Sequence, residues 1–324
     1  MSDSTVLYLS RHDVEAVELS MTEIIGAVEA MFEEKGKGAV EMPPKPGIHP
    51  RPDAFIHAMP AYIPRLGSAG IKWVSGYWSN RDRGLPYISG LLILNDPDTG
   101  IPTAVMDATW ITAMRTGAAT AVAARWLARE DSRSVGIVAC GVQGRSNLDA
   151  LACVFRLERV RAFDIDRQAA EAYATEMTAR YGFEVKVVDS AKEAVNDLDI
   201  VVTSGPILKD PTPSIEAGWL SPGSFACALD FDSYWRGDAM RQADKLATDD
   251  VGQLDFYRSV GFFGETPAPY ADLGEIASGR KPGRESAEER TLCMNLGLAL
   301  EDMATAILVD RKAREQGIGT ELPL

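Results

Sequence analysis

The spacing of apolar and polar positions divides this chain into two textures. In "SMTEIIGAVEAMFEEKGKG" the residues Ile24, Val28, Met31 and Phe32 recur at helical spacing. Ser20 and Glu23 fit a capping box, so the pattern predicts a helix that Gly36 can stop. Residues 40–66 are proline-rich and read as extended segments and turns. The stretch "SAGIKWVSGYWSN" alternates, placing Ile71, Trp73 and Ser75 on one face and Lys72 and Val74 on the other. "ISGLLILNDPDTGIPTAVMD" reads as two strands joined by a turn at Asp96–Gly100, and "TAMRTGAATAVAARWLARE" as a helix rich in small residues.

From about residue 130 the pattern becomes short strands alternating with amphipathic stretches, with strands expected at 134–139, 160–165, 184–188, 199–204, 225–231 and 245–249. Such alternation implies a parallel, doubly wound sheet with crossover helices. A long final helix is expected over "TLCMNLGLALEDMATAILVDRKAREQG"; packed back on the first part, it makes that part discontinuous. The expected fold class is therefore α/β: a Rossmann-type doubly wound parallel sheet plus a discontinuous α+β domain. The expected boundaries are 1–129 with 294–324 for the discontinuous domain and 130–293 for the doubly wound one.

Composition narrows the function. A net charge of -14 over 324 residues argues against nucleic acid or an anionic membrane surface as partner, since either needs a concentrated basic face. No apolar run approaches the roughly 18 residues of a membrane span, and the first residues lack the apolar core of a signal peptide. Cys140, Cys153, Cys227 and Cys293 lie far apart and suggest reduced thiols in a cytoplasmic protein. With three histidines and neither HxxxH nor CxxC, no metal site is expected.

The chemistry starts at "VGIVACGVQGRSN", where a strand runs into a glycine-bearing turn and a helix. The pattern is A-x-G-x-x-G, with Ala139 in place of the first glycine, and it is open to two readings: a tight turn with incidental glycines or a dinucleotide loop. An acid at the end of the next strand, Asp164 in "VRAFDID", favours the loop. Glycine lets the backbone approach a pyrophosphate, the helix N-terminus attracts it, and the acid accepts from ribose hydroxyls while repelling a 2′-phosphate. NAD(H) is thus favoured over NADP(H); Asp166, two residues into the connection, is the less suited acid.

"MDATWITAMRTGAATAVAAR" joined to "GVQGR" resembles the ornithine cyclodeaminase/mu-crystallin family, as do "MPAY", "GIKWVSGYWSN", D-x-x-T-G-x-P-x-A-x-x-D, "LGE" and LG-x-A-x-ED, in order along most of the chain. The resemblance implies a homodimer, a Rossmann domain, a discontinuous substrate-binding and dimerisation domain, and NAD-dependent chemistry at the C–N bond of an amino acid or imine. It makes Lys72 and Arg115 ligands of the substrate carboxylate, Lys72 also a catalytic residue, with Arg115 and Thr116 beside the cofactor. It places Gly141, Val142, Gln143 and Gly144 in the cofactor loop, Thr203 or Ser204 at the end of a later strand, and Asn295 near the nicotinamide. The acid–base aspartate is Asp230 or Asp232 in "FACALDFDSYW"; spacing from the strand start matches Asp232. Lys45 stands where many relatives carry a carboxylate-binding arginine, and His57 where ornithine-cyclising relatives carry an acid, which weakens the case for a diamine substrate. Trp73, Tyr77 and Trp78 offer an aromatic wall. A rival reading is an NAD(P)H-loaded small-molecule binding protein of mu-crystallin type; a third is a Rossmann oxidoreductase with an unrelated substrate. In purely structural terms Lys72 is an exposed strand lysine, Arg115 a solvated charge and Asn295 a helix cap.

Overall fold

In the computed structural model, which describes residues 5–52 and 54–324, the first stretch runs β1 (Thr5–Leu9), α1 (Arg11–Ala16), α2 (Met21–Gly36), β2 (Gly47–Arg51), β3 (Ala54–Ile63) and β4 (Ser68–Tyr77). It continues through β5 (Ile88–Asn95), β6 (Pro102–Asp107) and α3 (Thr109–Leu127). There follow β7 (Ser134–Val138), α4 (Val142–Val154), β8 (Arg159–Phe163), α5 (Arg167–Tyr181), β9 (Val185–Val187), α6 (Ala191–Val195) and β10 (Ile200–Thr203). Then come β11 (Phe225–Ala228), α7 (Gly237–Met240), β12 (Lys245–Thr248), α8 (Val251–Ser259), β13 (Ala271–Asp272), α9 (Leu273–Ala277) and β14 (Thr291–Met294). The chain ends with α10 (Ala299–Gln316) and β15 (Thr320–Pro323). It divides into two compact units: the residues up to Arg115 with Leu298–Leu324, and Thr116–Gly297.

The first unit is built on a seven-stranded sheet of order β15-β1-β6-β5-β4-β3-β2, antiparallel except where β1 meets β6. Helix α2 starts with the capping box of Ser20 and Glu23 and buries Ile24, Val28, Met31 and Phe32 completely. Each such side chain withdrawn from water contributes about 1.5–3 kcal/mol. Gly36 stays helical, and the chain turns at Gly38, which takes the left-handed φ of 70°. On β4 the alternation resolves into a buried face bearing Lys72 and Val74 and an outer face bearing Trp73. Helix α10 packs on β3, β4, β5 and α2.

The second unit carries an eight-stranded, all-parallel sheet of order β13-β12-β14-β11-β10-β7-β8-β9. Strand order reverses between β7 and β10, so the crevice at their C-terminal ends is the ligand-binding switch point of a doubly wound sheet. All six expected strands are present, each shorter by a residue or more. Two expectations fail. The four residues Thr291–Met294 form β14 between β11 and β12, and the last helix begins only at Ala299. A short apolar run such as "TLCM" has no period that separates strand from buried helix. Strand β11 ends at Ala228 instead of residue 231; beyond it Phe231 adopts a left-handed φ of 57°. Asp230 and Asp232 therefore stand in a turn, where strand alternation does not govern their direction.

Candidate functional site

In the first unit two buried cations meet two buried acids. Lys72 projects from β4 with 1% of its surface exposed, and its Nζ lies 2.6 Å from Asp302 Oδ2. It also donates to Thr112 Oγ1 at 3.3 Å. Arg115, in the second turn of α3, donates through Nε to Asp302 Oδ1 at 2.9 Å and through Nη1 to Glu301 Oε2 at 2.5 Å. Glu301 and Asp302 occupy the first turn of α10, where the helix dipole favours acids, and neither is exposed. Neither basic residue is a surface charge. Burial, with Arg115 and Lys45 acting the same way, pushes the Lys72 amine down to about 7 despite Asp302. Burial also works against the Arg115 charge, but Asp302 and Glu301 outweigh it and raise its pKa. Burial raises the Glu301 carboxyl in turn, against the pull of Arg115.

Lys45 is buried in the connection before β2, and His57 lies on β3. Met59 and His57 stand opposite Lys72 and Val74 across the β3–β4 ladder, so His57 shares the Lys72 face. Burial, then Lys45, His49 and Lys72, hold the His57 imidazole at about 3 and therefore neutral. Trp73 and Tyr77 share the outer face of β4, opposite Lys72, and Trp78 follows the strand, so the expected aromatic wall is not built on the Lys72 face.

In the second unit the loop between β7 and α4 has the features a dinucleotide needs. Ala139 takes a left-handed φ of 74°, which explains why glycine is usual at this position. Gly141 precedes α4 without a side-chain cap, leaving the helix N-terminus open, and a Cβ there would meet nothing within 4 Å. A Cβ on Gly144 would fall 2.8 Å from the Ala139 carbonyl oxygen, so the close packing of helix on loop requires glycine. Val142 is exposed, and Gln143 accepts from Ser146 Oγ at 3.2 Å. Asp164 follows β8 and is held by backbone donors, Cys140 N at 2.8 Å and Asp166 N at 2.9 Å. Asp166 instead caps α5.

Around the switch point, Ser204 donates to the Ala139 carbonyl at 3.0 Å. Asp230 is fully buried: Oδ1 accepts from Thr203 Oγ1 at 3.0 Å and Oδ2 from Gly205 N at 3.1 Å, while Trp235 Nε1 donates to the same Thr203 oxygen at 3.1 Å. Burial pushes its carboxyl up to about 7. Asp232 is partly buried, with Oδ2 accepting from Phe263 N at 2.8 Å and Oδ1 buried without a partner. Burial raises its pKa too. Asn295 follows β14 and is not a helix cap, since Leu298 precedes α10. Its Oδ1 accepts from Cys293 Sγ at 3.2 Å, and its buried Nδ2 has no partner. An amide donor left unsatisfied in a nearly closed position suits a ligand carbonyl. Gly144 and Asn295 together make the crevice fit a dinucleotide.

The profile of the ornithine cyclodeaminase/mu-crystallin family matches residues 5–317. The chain belongs to this family. It is 36% identical over 329 residues to the alanine dehydrogenase of Archaeoglobus fulgidus, covering 98% of each chain. It is similar to the structure of Thermococcus litoralis Δ1-pyrroline-2-carboxylate reductase in complex with NADH and L-proline, with a TM-score of 0.88, 36% identity and coverage of 98% of this chain and 100% of that one. An archaeal alanine dehydrogenase dimer with bound NAD superimposes with a TM-score of 0.89 at 34% identity, covering 99% and 100%.

Two features of this member of the ornithine cyclodeaminase/mu-crystallin family escaped the sequence reading. Glu301 and Asp302 stand in the C-terminal motif as adjacent acids flanked by "LGLAL" and "MATAIL", the signal that a helix face buries them. The Trp235–Thr203–Asp230 chain joins residues 27 to 32 positions apart, and only the fold brings them together. Among the described residues no cluster of three or more metal-ligating side chains occurs, and no helix is long and apolar enough to cross a membrane.

Proposed function

We propose that this protein is an NAD-dependent oxidoreductase that acts on the C–N bond of an amino acid or its imine. The observation that carries the reading is the buried Lys72–Arg115 pair, since two desolvated cations that share Asp302 suit a carboxylate ligand. The first unit then binds the amino acid, with Lys45, Lys72 and Arg115 toward its carboxylate. In the second, Gly141, Val142, Gln143 and Gly144 hold the pyrophosphate and Asp164 the adenosine ribose. Thr203, Ser204, Asn295 and Thr116 of the same unit would serve the nicotinamide half. When bound, NAD would supply the hydride acceptor for Cα of an amino acid, and NADH the hydride donor for an imine.

The chain's own contribution is charge placement and proton transfer. In the oxidative direction the substrate nitrogen loses a proton as the imine forms. Asp232 accepts it: one of its oxygens is fixed by Phe263 and the other is unpartnered. Its raised pKa lets the same carboxyl give the proton back in the reductive direction. Asp230, with both oxygens engaged, holds Thr203 and Gly205 in place. Lys72, near neutrality, assists as ammonium. A proton-exchanging carboxyl favours turnover over a purely binding role.

The protein is proposed to act as a homodimer in the cytoplasm. On the outer face of the first unit's sheet, Trp73 and Leu91 are cross-strand neighbours and remain 48% and 47% exposed, an apolar patch suited to a second copy.

The test is a screen of amino acids with NAD and of cyclic and acyclic imines with NADH, followed by two variants on the best substrate. Asp232→Asn should lower kcat by about 10²–10⁴, the range for general acid–base catalysis, with NADH affinity unchanged. Asp230→Asn should cost less. If Asp230→Asn is the slower enzyme, the roles are reversed.

A further inference from the structure

The backbone around Asp232 is strained in two places. Five described residues other than glycine take a left-handed φ, and two of them are phenylalanines: Phe231 at 57° and Phe263 at 58°. A left-handed backbone crowds the Cβ, and at a bulky residue it persists only where the surroundings hold it. Both residues bear on one carboxyl. Phe231 directly precedes Asp232, and Phe263, 31 positions along the chain, donates its N–H to Asp232 Oδ2 at 2.8 Å. Their rings pack on each other with centroids 5.0 Å apart, and both residues are at most 3% exposed. Tyr257 lies 4.9 Å from the Phe231 ring, and Phe262 meets that ring edge-on at 5.6 Å. The Phe263 segment is tied down on both sides, by Phe262 N donating to the Tyr257 carbonyl at 3.0 Å and Thr266 N to the Phe263 carbonyl at 3.2 Å. Asp232 is thereby gripped by one oxygen, while Oδ1 is buried without a partner.

We propose that Phe231 and Phe263 are positioning residues for the reaction. Their packed rings hold the two left-handed turns together, so that the Phe263 N–H pins Oδ2 of Asp232 and leaves Oδ1 as the oxygen that exchanges the proton. This rests on the proposed function, in which Asp232 is the acid–base group. Glycine at either position would relieve the strain but release the grip, because nothing would then tie the turn after β11 to the segment that carries the donor. The rings act through Asp232 and need not touch the substrate.

The test is Phe231→Gly, which accepts a left-handed φ without strain but lacks the ring, compared with Asp232→Asn and with the double variant. Phe231→Gly should lower kcat by about tenfold to a hundredfold, the scale of misplacing a reacting group by about an ångström, with NADH affinity kept. The double variant should be no slower than Asp232→Asn within about a factor of two. A pair that merely supports the fold would cost the same fraction in both backgrounds, so losses that multiply overturn the proposal. A wild-type kcat in Phe231→Gly beside a slow Asp232→Asn also overturns it and leaves the acid–base role standing; a fast Asp232→Asn overturns both. A second measurement needs no turnover. In the free protein carrying isotope-labelled phenylalanine, the Phe263 amide proton should follow the titration of Asp232 in nuclear magnetic resonance. It should lose that response in Asp232→Asn and in Phe231→Gly alike, and an undiminished response in Phe231→Gly refutes the pinning. If Phe231→Gly does not fold, Phe231→Leu, which keeps an apolar side chain without the ring, is read in the same two ways with the same deciding outcomes.

Discussion

Raising the pH should weaken the grip on a substrate carboxylate, and Lys72 should be the cause. Its Nζ is sealed from water, and Asp302, 2.6 Å away, is shared with Arg115. One carboxylate cannot compensate two cations, so burial prevails and the amine titrates near 7 rather than 10.5. That depression corresponds to about 5 kcal/mol of preference for the neutral amine at about 1.4 kcal/mol per tenfold. A bound carboxylate reverses the balance, because it favours the ammonium form. The sign follows directly. Below pH 7 the lysine of the free protein is already charged and affinity is flat. Above pH 7 binding must take up a proton, and affinity falls about tenfold per pH unit until the pKa of the complex is reached.

Calorimetric titration of the NADH-saturated protein with a substrate-analogue carboxylate between pH 6 and 9 measures this, as roughly a hundredfold loss from 7 to 9. Repeating it in buffers of different ionisation enthalpy should report uptake approaching one proton at pH 8. Lys72→Arg carries a charge that does not titrate in this range and should flatten the profile, though its fork fits the pocket less well. A flat wild-type profile, or the same slope in Lys72→Arg, would refute the assignment. In the second case Glu301 or Asp230 would be the titrating group.

Two other expectations concern the cofactor and the assembly. On the proposed role of Asp164 at the ribose hydroxyls, NADH should bind more tightly than NADPH, and Asp164→Ser with Ile165→Arg should narrow or reverse that order in a fluorescence titration; Ile165 is 88% exposed, which leaves room for the arginine. Equal wild-type affinities would count against the role of Asp164. Trp73→Glu should convert a dimer to monomers in sedimentation velocity while the far-ultraviolet dichroism is kept, and a wild-type protein that is monomeric at micromolar concentration would remove the proposed interface.

The parts of this molecule that follow a period could be read from the chain. Alternation placed Lys72 beside Val74 on one face of β4, and the strand-to-helix switch after Val138 placed Gly141 and Gly144 in a loop with Asp164 one strand away. The parts that depend on what lies opposite could not. Asn295 read as a helix opening because "TLCMNLG" carries no period, and only the pairing of β14 between β11 and β12 makes it a strand end. The strand expected over 225–231 carried Asp230 and ended beside Asp232, but β11 stops at Ala228 and the left-handed Phe231 puts both acids in a turn. His57 gave a substitution without an environment; the burial that keeps it neutral comes from β2 and β4 on either side.

The two acids of α10 give the cluster its thermodynamic character. Two cations buried without partners would each cost several kcal/mol, enough together to remove most of a domain's stability of about 5–15 kcal/mol. Acids that fully neutralised both cations would remove that cost but leave little attraction for an incoming carboxylate. The observed arrangement lies between these limits. Arg115 has Glu301 and one oxygen of Asp302, which keeps the guanidinium charged and oriented, while Lys72 has the remaining oxygen and the uncharged Thr112 hydroxyl. The deficit is concentrated on the one group of the pair that can shed its proton. Ligand-free, the cluster can relieve itself by losing that proton; with a carboxylate bound, it recovers the charge where the ligand sits. Arginine at position 72 could not do this, and a lysine at 115 would lose the fork that fixes the geometry. If the cluster is the carboxylate site proposed, the pairing of one lysine with one arginine is what lets it stay folded when empty and bind an anion when filled.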